Sequence, residues 1–597
     1  MKLSQAFAYL ARRNAAFFLA LVAYAIAITP LYLFHIVHSD VIVTSAIFFI
    51  VVLGLDLLYG CAGMLSFGHI GFFAIGAYSV AILFTTFAAS PLLGTLAGLL
   101  IAIVVGYALG RICLRLAPSY FMLGTLAFGI MTHAVITVWY SVTGGDGGLG
   151  GIPRPVIGWS LDTDLTFGAL TACCAAVLFW FAYSLSRSRV GRALRAIRGD
   201  AVAASCLGIN VDRLKTDVFV ISACYASLAG SLFAMYNGAV HPDSFSLGTL
   251  LDVLLMLFFG GEGTLWGGLI GTTMIRQLPD VFGGLHGAQI LFEGIFFCIV
   301  IFALPRGIAG ALEDSFKRLA PRRMKLDLPA APDFPSIGVK YADQATLLRV
   351  ENVARSFGGV CAIDGASFAI GRGQIKGLIG PNGAGKSTLI NLISGVVASD
   401  GGRILLLAAE LNRLRPDQRA KLGVQRTFQH ERLFPHLNIE ENIMVGEDCG
   451  VDGSFGELLG CALGIRRTLT AEIRARANAQ SWLRTLRLEA YAGAAPESVP
   501  QGLRKLVELA RACAVRPVLL LLDETVAGLN EAEKQAVKEF INKLRAHGLT
   551  ILIIEHDIDF VMEICDEICV LNFGRVIADG SPAEIRKSDA VIEAYLG

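Results

Sequence analysis

The chain has 597 residues, 54% of them hydrophobic and only 17% charged, with a net charge of +1. Ordinary soluble domains carry about 25% charged residues, so the composition excludes a wholly soluble chain and predicts contact with membrane lipid. The balanced charge gives no sign of a nucleic-acid partner or a polybasic tail. The length leaves room for three to five domains at about 100–200 residues each.

The amino terminus, MKLSQAFAYLARRNAAFF, pairs a basic start with an apolar run. That run is too long for the core of a signal peptide, so it is taken as an uncleaved first helix. No Asp, Glu, Lys or Arg occurs between Asp56 and Arg111 or between Arg115 and Asp146. The stretches Asn14–Ser39, Leu165–Ser186 and Val218–Pro242 are equally free of them. Apolar runs of about 18 residues or more signal membrane spans.

Positive charge sets the orientation. Lys2, Arg12 and Arg13, then Arg111 and Arg115, then seven basic residues from Arg187 to Lys215 mark cytoplasmic segments. The stretch 141–165, with three Asp and one Arg, suits the opposite side. Arg306 and the cluster Lys317, Arg318, Arg322, Arg323 and Lys325 return the chain to the cytoplasm. An even number of crossings is required, and about ten satisfies the pattern. The segment 248–287 contains GGEGTLWGG and is read as two short or re-entrant pieces, which are tolerated where backbone lines a cavity or packs on protein.

Within the cytoplasmic loop 191–210, Arg192, Arg195 and Arg198 recur at three-residue spacing with Leu194 and Ile197 between them. Plain positive-inside charge explains the arginines but not the interleaved apolar residues, which suit docking on a partner. Ionisable residues inside spans cost about 2.5–3.5 kcal/mol each on insertion scales. Asp56, His69, His133, Glu262 and Glu293 are therefore noted, with packing or polar satisfaction by neighbouring helices as the simpler account of each. The thirteen cysteines form no C-x2-C pair, and buried free thiols in a reducing compartment account for them.

LPAAPDFPSIG (328–338) holds three prolines and interrupts helix. The expected division is a membrane domain over 1–312, a linker over 313–345 and a soluble domain over 346–597.

In the soluble domain, GPNGAGKS (380–387) fits G-x-x-x-x-G-K-[ST], with strand-like KGLIG before it and helix-like STLINLISG after it. Such a loop wraps phosphate with backbone N–H groups, while its Lys and Ser reach the terminal phosphates and Mg²⁺. The candidate ATP-binding residues are Gly380, Pro381, Asn382, Gly383, Ala384, Gly385, Lys386, Ser387 and Thr388. VLLLLDE (518–524) is read as a buried strand ending in two carboxylates, which repel without a cation. Asp523 is assigned to Mg²⁺ through water and Glu524 to the attacking water. ILIIEHD (551–557) is another strand, with His556 aimed at the γ-phosphate.

With these motifs in this order, residues 347–597 resemble the nucleotide-binding subunit of an ABC transporter, and so imply an α/β P-loop NTPase fold of the ABC type. The resemblance assigns γ-phosphate sensing, Mg²⁺ contact and contact with the membrane partner to Gln429 of RTFQ. It assigns adenine stacking to Phe357 of RSFGG and dimer contact to AGLN (527–530). CVLNFGRVIADGSPAEI and EHDIDFVM resemble the branched-chain amino acid group of these ATPases. One departure stands out: where the family has LSGGQ, this chain has VPQGL (499–503). Pro500 offers neither hydroxyl nor N–H to a phosphate. Gly502 and the positive end of the following helix remain. Either the partner's site is weakened, or the variant is tolerated at no cost.

GLDLLYGCAGMLSFGHIGFFAIGAYSVAIL (54–83), TGGDGGLGGIP (143–153), GRALRAIRGDAVAASCLGIN (191–210), SLAG (227–230) and GGEGTLWGG (260–268) resemble permease subunits of branched-chain amino acid importers. The resemblance thus covers nearly the whole chain, as a polytopic α-helical permease fused to its ATPase. It makes 191–210 the coupling segment seated near Gln429. It also implies a second permease and a second ATP-binding subunit, or a second copy, a periplasmic substrate-binding protein and a bacterial inner-membrane location. Urea and short-amide importers share much of the pattern. A homodimeric exporter half also fuses the two domains, but has six long spans rather than about ten short-looped ones. A membrane-anchored, non-transporting ATPase needs far fewer spans.

Overall fold

In the computed structural model the described residues are 38–312 and 346–596, less 115, 158, 161, 283–290, 292–293, 296–297, 300–301, 304–305, 430 and 452, together with 17–19, 21–26 and 29–30. They separate into two units whose membership does not follow chain order. The first holds residues up to Leu194, those from Asp212 through the helical region, and Gly453–Thr470. The second holds Arg195–Val211 and the rest of the soluble sequence.

The charge-free stretches form helices: α1 (Ser39–Asp56), α2 (His69–Phe87), α3 (Pro91–Cys113), α4 (Pro118–Val138) and α5 (Asp164–Ser186). Ser90 and Thr163 start α3 and α5 by accepting the N–H groups of Leu93 and Thr166, and Pro91 fits the first turn of α3. The loop that follows carries α6 (Arg189–Gly199) and α7 (Ala201–Cys206). The long α8 (Val211–Asn237) and the shorter α9 (Leu247–Gly260) and α10 (Gly267–Phe282) come next.

Among the described residues, six helices are long and apolar enough to cross a membrane: α1 (extended by a π-helical turn to Cys61), α2, α3, α4, α5 and α8. About ten were expected, and that number is not reached. The other candidates fall on Asn14–Ser39 and on 283–312, much of which lies outside the described residues, and on α9 and α10, which are too short to count. The Lys2–Arg13 cluster, Glu293 and the 313–345 linker also lie outside the described residues.

The most apolar window of α1 is 89% buried, whereas those of α3, α4 and α5 are 28% buried. So α1 is central, and the other three present apolar surface outward, as spans facing lipid or another subunit do. SLAG lets α8 approach α2 closely: a Cβ on Gly230 would lie 1.9 Å from the carbonyl oxygen of Phe73. Small residues are favoured at such helix contacts in membranes.

The second unit is built on β1 (Thr346–Phe357), β2 (Val360–Gly371), β3 (Ile375–Ile379), α11 (Lys386–Ser394), β4 (Gly401–Leu406) and β5 (Val424–Arg426). Chain order then brings α12 (Phe455–Leu463), which groups with the first unit and packs on α5. The second unit resumes at Ala471, within a helix over Arg466–Thr485, and goes on through α13 (Gln501–Ala514), β6 (Leu519–Asp523), α14 (Glu531–Ala546), β7 (Thr550–Ile554), β8 (Glu567–Asn572), β9 (Arg575–Gly580) and α15 (Asp589–Leu596). Its main sheet has the order β5-β6-β7-β3-β8-β9, parallel except for β8–β9. The second, antiparallel sheet pairs β2, β1, β4 and the short strand Ala409–Glu410, in that order.

The continuous apolar runs of β6 and β7 follow from burial on both faces. Leu520, Leu522, Ile551 and Ile553 enter the core shared with α13 and α14. Leu519, Leu521, Leu552 and Ile554 enter the core that holds α11 and the antiparallel sheet.

Candidate functional site

β3, β5, β6 and β7 run parallel, so their carboxyl ends share one edge of the sheet, where ligands bind in open α/β sheets. The loop Gly380–Gly385 leaves β3 there and enters α11 at Lys386. Gly380, Gly383 and Gly385 all have positive φ. A Cβ on Gly380 would stand 2.0 Å from the carbonyl oxygen of Leu571, whereas one on Gly383 would meet nothing within 4 Å. Gly383 therefore opens outward and leaves its backbone free to approach a phosphate. Lys386 is buried, and its Nζ donates to the carbonyls of Gly380 (2.7 Å) and Pro381 (2.9 Å). Burial holds the ammonium's pKa below its ordinary value, opposed by Glu524. Ser387 is exposed and Thr388 half-buried at the start of α11. The last helix, α15, reaches this loop: Ala590, Glu593 and Ala594 line one cleft with Pro381, Asn382, Gly383 and Ala384, a proximity that the sequence did not signal.

β6 ends at Asp523, and Glu524 follows at φ 50°, a left-handed backbone that costs a non-glycine residue on the order of 1 kcal/mol or more. The turn aims the carboxylate at the residues after β5 and β7. Gln429 Nε2 donates to Glu524 Oε2 at 2.9 Å, and His556 Nε2 lies 2.8 Å from Glu524 Oε1. Two side chains from separate motifs thus meet on the carboxyl group of a third.

Asp523 points inward, where Arg426 donates to its Oδ2 at 3.2 Å, while its buried Oδ1 has no hydrogen-bond partner. Burial raises the Asp523 pKa, and the Arg426 guanidinium opposes it. An orphaned carboxylate oxygen in this place fits a cation bound directly or through water. Phe357 stands exposed at the end of β1 with the Arg355 guanidinium over its ring.

Pro500 precedes α13 with extended backbone and makes no side-chain cap. Gly502 is buried, and a Cβ there would stand 2.2 Å from Glu533 Oε1, so a larger residue would have to displace the Glu533 side chain that caps α14. Asn530 of AGLN begins α14 with a reciprocal cap, accepting from Glu533 N–H while Glu533 accepts from Asn530 N–H.

The segment after Gln429 is tied to α13 at several points. Phe428 N–H donates to buried Glu508, Lys505 Nζ to the Gln429 carbonyl (3.3 Å), Arg504 pairs with Glu431 (2.9 Å), and Arg511 donates to the Arg432 carbonyl (2.7 Å). The Arg432 guanidinium then donates to Asp200 at 2.9 Å. Asp200 caps α7 by accepting Ala203 N–H, and Arg195 lies 3.7 Å from Glu441. The Arg426 and Arg432 guanidinium groups both lie over the ring of Phe428, at 4.5 and 4.6 Å. Arg192 and Ile197 are buried, so the expected basic stripe is not a solvated face. Sequence reading missed Asp200, Arg426, Arg432, Glu508 and Arg511.

In the first unit, Asp56 accepts from Gly263 N–H (2.6 Å) and Leu265 N–H (2.9 Å), so it holds the backbone of the break between α9 and α10. His69 lies 2.5 Å from Ser222 Oγ, which donates to the Gly54 carbonyl. His133, whose Nε2 has no hydrogen-bond partner, lines an apolar cavity of about 250 Å³ with Phe67, Ile70, Leu126, Phe245 and Leu250.

Residues 37–304 match the family described as branched-chain amino acid transport system / permease component, and 363–527 match ABC transporter. Residues 575–597 match branched-chain amino acid ATP-binding cassette transporter. The chain is 38% identical over 252 residues to the high-affinity branched-chain amino acid transport ATP-binding protein BraF of Pseudomonas aeruginosa, covering 42% of this chain and 98% of BraF. It is 40% identical over 253 residues to LivG of Escherichia coli, covering 42% and 98%. To the probable LivG of Methanocaldococcus jannaschii it is 31% identical, covering 43% and 99%. A crystal structure of a nucleotide-free ATP-binding cassette from an ABC transporter is 30% identical, covering 42% of this chain and 99% of that one, with a TM-score of 0.38. The chain is a membrane protein whose cytoplasmic ATPase domain binds ATP and couples its hydrolysis to transport, and it works with partner subunits or a second copy. With permease component and ATP-binding cassette in one polypeptide, it belongs to the branched-chain amino acid ABC transporter family.

Proposed function

We propose that this chain is one permease–ATPase half of an importer for branched-chain or related amino acids in a bacterial inner membrane. The observation that carries the reading is the meeting of Gln429 and His556 on Glu524, at the sheet edge that also holds the phosphate loop. Backbone N–H groups of 380–388 and the Lys386 ammonium would bind the phosphates of ATP, Phe357 would stack on adenine, and Gly502 would serve the site built on a partner's loop. Glu524 would take the proton of the water that attacks the γ-phosphorus as the bond to the bridging oxygen breaks. Gln429 and His556 orient its two oxygens. Ser387, Gln429 and Asp523 would hold magnesium, whose bound charge would offset that of the phosphates; the unpartnered Asp523 Oδ1 supports this assignment.

ATP shared between two closed cassettes would favour that closed state, and closure would reach the spans through the coupling segment 191–210. A ligand shifts such an equilibrium only by its difference in affinity between the states. Pro500 suits the weaker of two unequal ATP sites, which favours a different permease–ATPase pair as the other half, served by a periplasmic binding protein.

Uptake of labelled leucine, valine and urea, in cells carrying the neighbouring transport genes, tests the reading with wild type and Glu524→Gln compared. Leucine or valine uptake that disappears in the variant supports it. Urea uptake alone changes the cargo, and no Glu524-dependent uptake of any of the three overturns import of these solutes.

A further inference from the structure

α12 lies, in sequence, in the middle of the ATPase, between β5 and α13, yet it groups with the membrane-spanning unit. It is lodged at the ends of two spans. Its inner face buries Leu458, Cys461 and Ala462, with Cys461 beside Ser188 and Val190 just past the end of α5. Glu457 lies 3.7 Å from Arg189, and Gly453, just before the helix, sits against Leu214 and Asp217 in the first turns of α8. These contacts fix its depth, because Arg187 and Arg213 mark the cytoplasmic ends of α5 and α8.

Inner-face burial leaves a second apolar surface unaccounted for. Phe455, Leu459 and Leu463, at i, i+4 and i+8, are 74%, 36% and 46% exposed, and Ile465 just beyond them is 50% exposed. Single exposed leucines are ordinary on a protein surface, but a row of four large apolar side chains marks an interaction face. Arg466 and Arg467 follow directly, both exposed. An apolar row ending in cationic side chains, at the level where two spans leave the bilayer, has the chemistry of a helix lying in the membrane surface.

We propose that α12 is an interfacial helix: Phe455, Leu459, Leu463 and Ile465 sink into the cytoplasmic leaflet, and Arg466 and Arg467 bind anionic lipid headgroups. The ATPase portion of the sequence thereby contributes its own lipid contact. The inference does not depend on the cargo.

The test places a tryptophan on this face, as Leu459→Trp and separately as Phe455→Trp, in the full chain reconstituted into phosphatidylcholine–phosphatidylglycerol vesicles. The emission added over wild type is compared in ordinary lipid and in lipid brominated near the headgroup end of the acyl chains. Brominated lipid is expected to remove most of the added emission at both positions, as for Leu100→Trp on the uncovered face of α3, and none of it for Gln535→Trp on α14. Unquenched emission at 455 and 459, with Leu100→Trp quenched, would mean that protein covers the row, whether a second copy or another subunit, and would overturn the proposal. Arg466→Glu combined with Arg467→Glu is expected to weaken quenching of Leu459→Trp in the anionic vesicles. Unchanged quenching would refute the headgroup contact.

Discussion

His556 Nε2 and Glu524 Oε1 stand 2.8 Å apart, although 32 residues separate them and they leave different strands. The other carboxylate oxygen is held by Gln429, so the group keeps one orientation with both lone-pair sets engaged. Glu524→Gln removes the proton acceptor and is expected to lower ATP hydrolysis by about 10²–10⁴-fold, the usual contribution of a positioned base. Nucleotide binding should persist. Steady-state phosphate release measured beside equilibrium binding of a labelled nucleotide checks this, and equal losses in both would contradict the assignment.

Asp200 and Arg432 offer a different separation. Arg432→Ala removes the ion pair with the α7 cap and the guanidinium contact on Phe428 but leaves Gln429, Glu524 and His556 themselves in place. Both groups are partly exposed, so the stability cost is expected to stay within about 1 kcal/mol. Transport should fall several-fold while hydrolysis stays within about twofold, giving more ATP consumed per solute moved. A parallel fall in both rates would argue against a coupling role.

Glu555 follows β7 and accepts Val526 N–H at 2.8 Å in a buried site. Burial pushes its carboxyl up to about 7 from an ordinary value of 4.5, against the two backbone hydrogen bonds that favour the charged form. The native chain therefore binds more protons than the unfolded one between those values. The contribution is full below about 4.5 and is lost as pH rises through about 7. At ~1.4 kcal/mol per pH unit, it is worth on the order of 3 kcal/mol. Glu555→Gln keeps an acceptor for Val526 and should flatten this part of the stability–pH curve. Thermal unfolding of the full chain across that range, wild type against variant, reads it directly.

Asp56 tests the membrane unit. Asp56→Ala leaves two backbone N–H groups of the 261–266 break without their carboxylate, and charged hydrogen bonds of this kind are worth about 1.5–3 kcal/mol each. A drop in the unfolding temperature in detergent is expected for Ala, with partial recovery for Asp56→Asn, which still accepts one bond. No difference between Ala and wild type would mean that water replaces the carboxylate.

The ATP site was largely legible in the sequence because each motif ends a strand and parallel strands end together. With 380–387, Asp523–Glu524 and His556 placed at strand ends their convergence follows, whereas Gln429 was pointed to only by the family resemblance and not by a strand pattern. The Asp200–Arg432 pair was not legible: its members lie 232 residues apart, and neither lies in a periodic pattern. Asp56 was noted as a charge in a span, but its partners are backbone groups more than 200 residues onward, which no side-chain pattern announces. Six spans stand among the described residues where about ten were expected, since several of the candidate stretches lie outside those residues, and 248–287 forms the two short pieces α9 and α10 that its glycines signalled. The excursion of α12 into the helical unit had no signal in a reading that assigned everything after residue 346 to one soluble domain.

Phe428 has a mechanical consequence. Asp523, Arg426, Phe428, Arg432 and Asp200 form one continuous row, with ion pairs at its two ends and ring–guanidinium contacts at its middle. A guanidinium over a ring face is held by the spread charge of the π surface and tolerates lateral slip without losing contact. The row therefore joins two directional ion pairs through a single aromatic ring that two guanidinium groups share, so the phosphate-side carboxylate and the α7 cap are linked by one unbroken set of side-chain contacts.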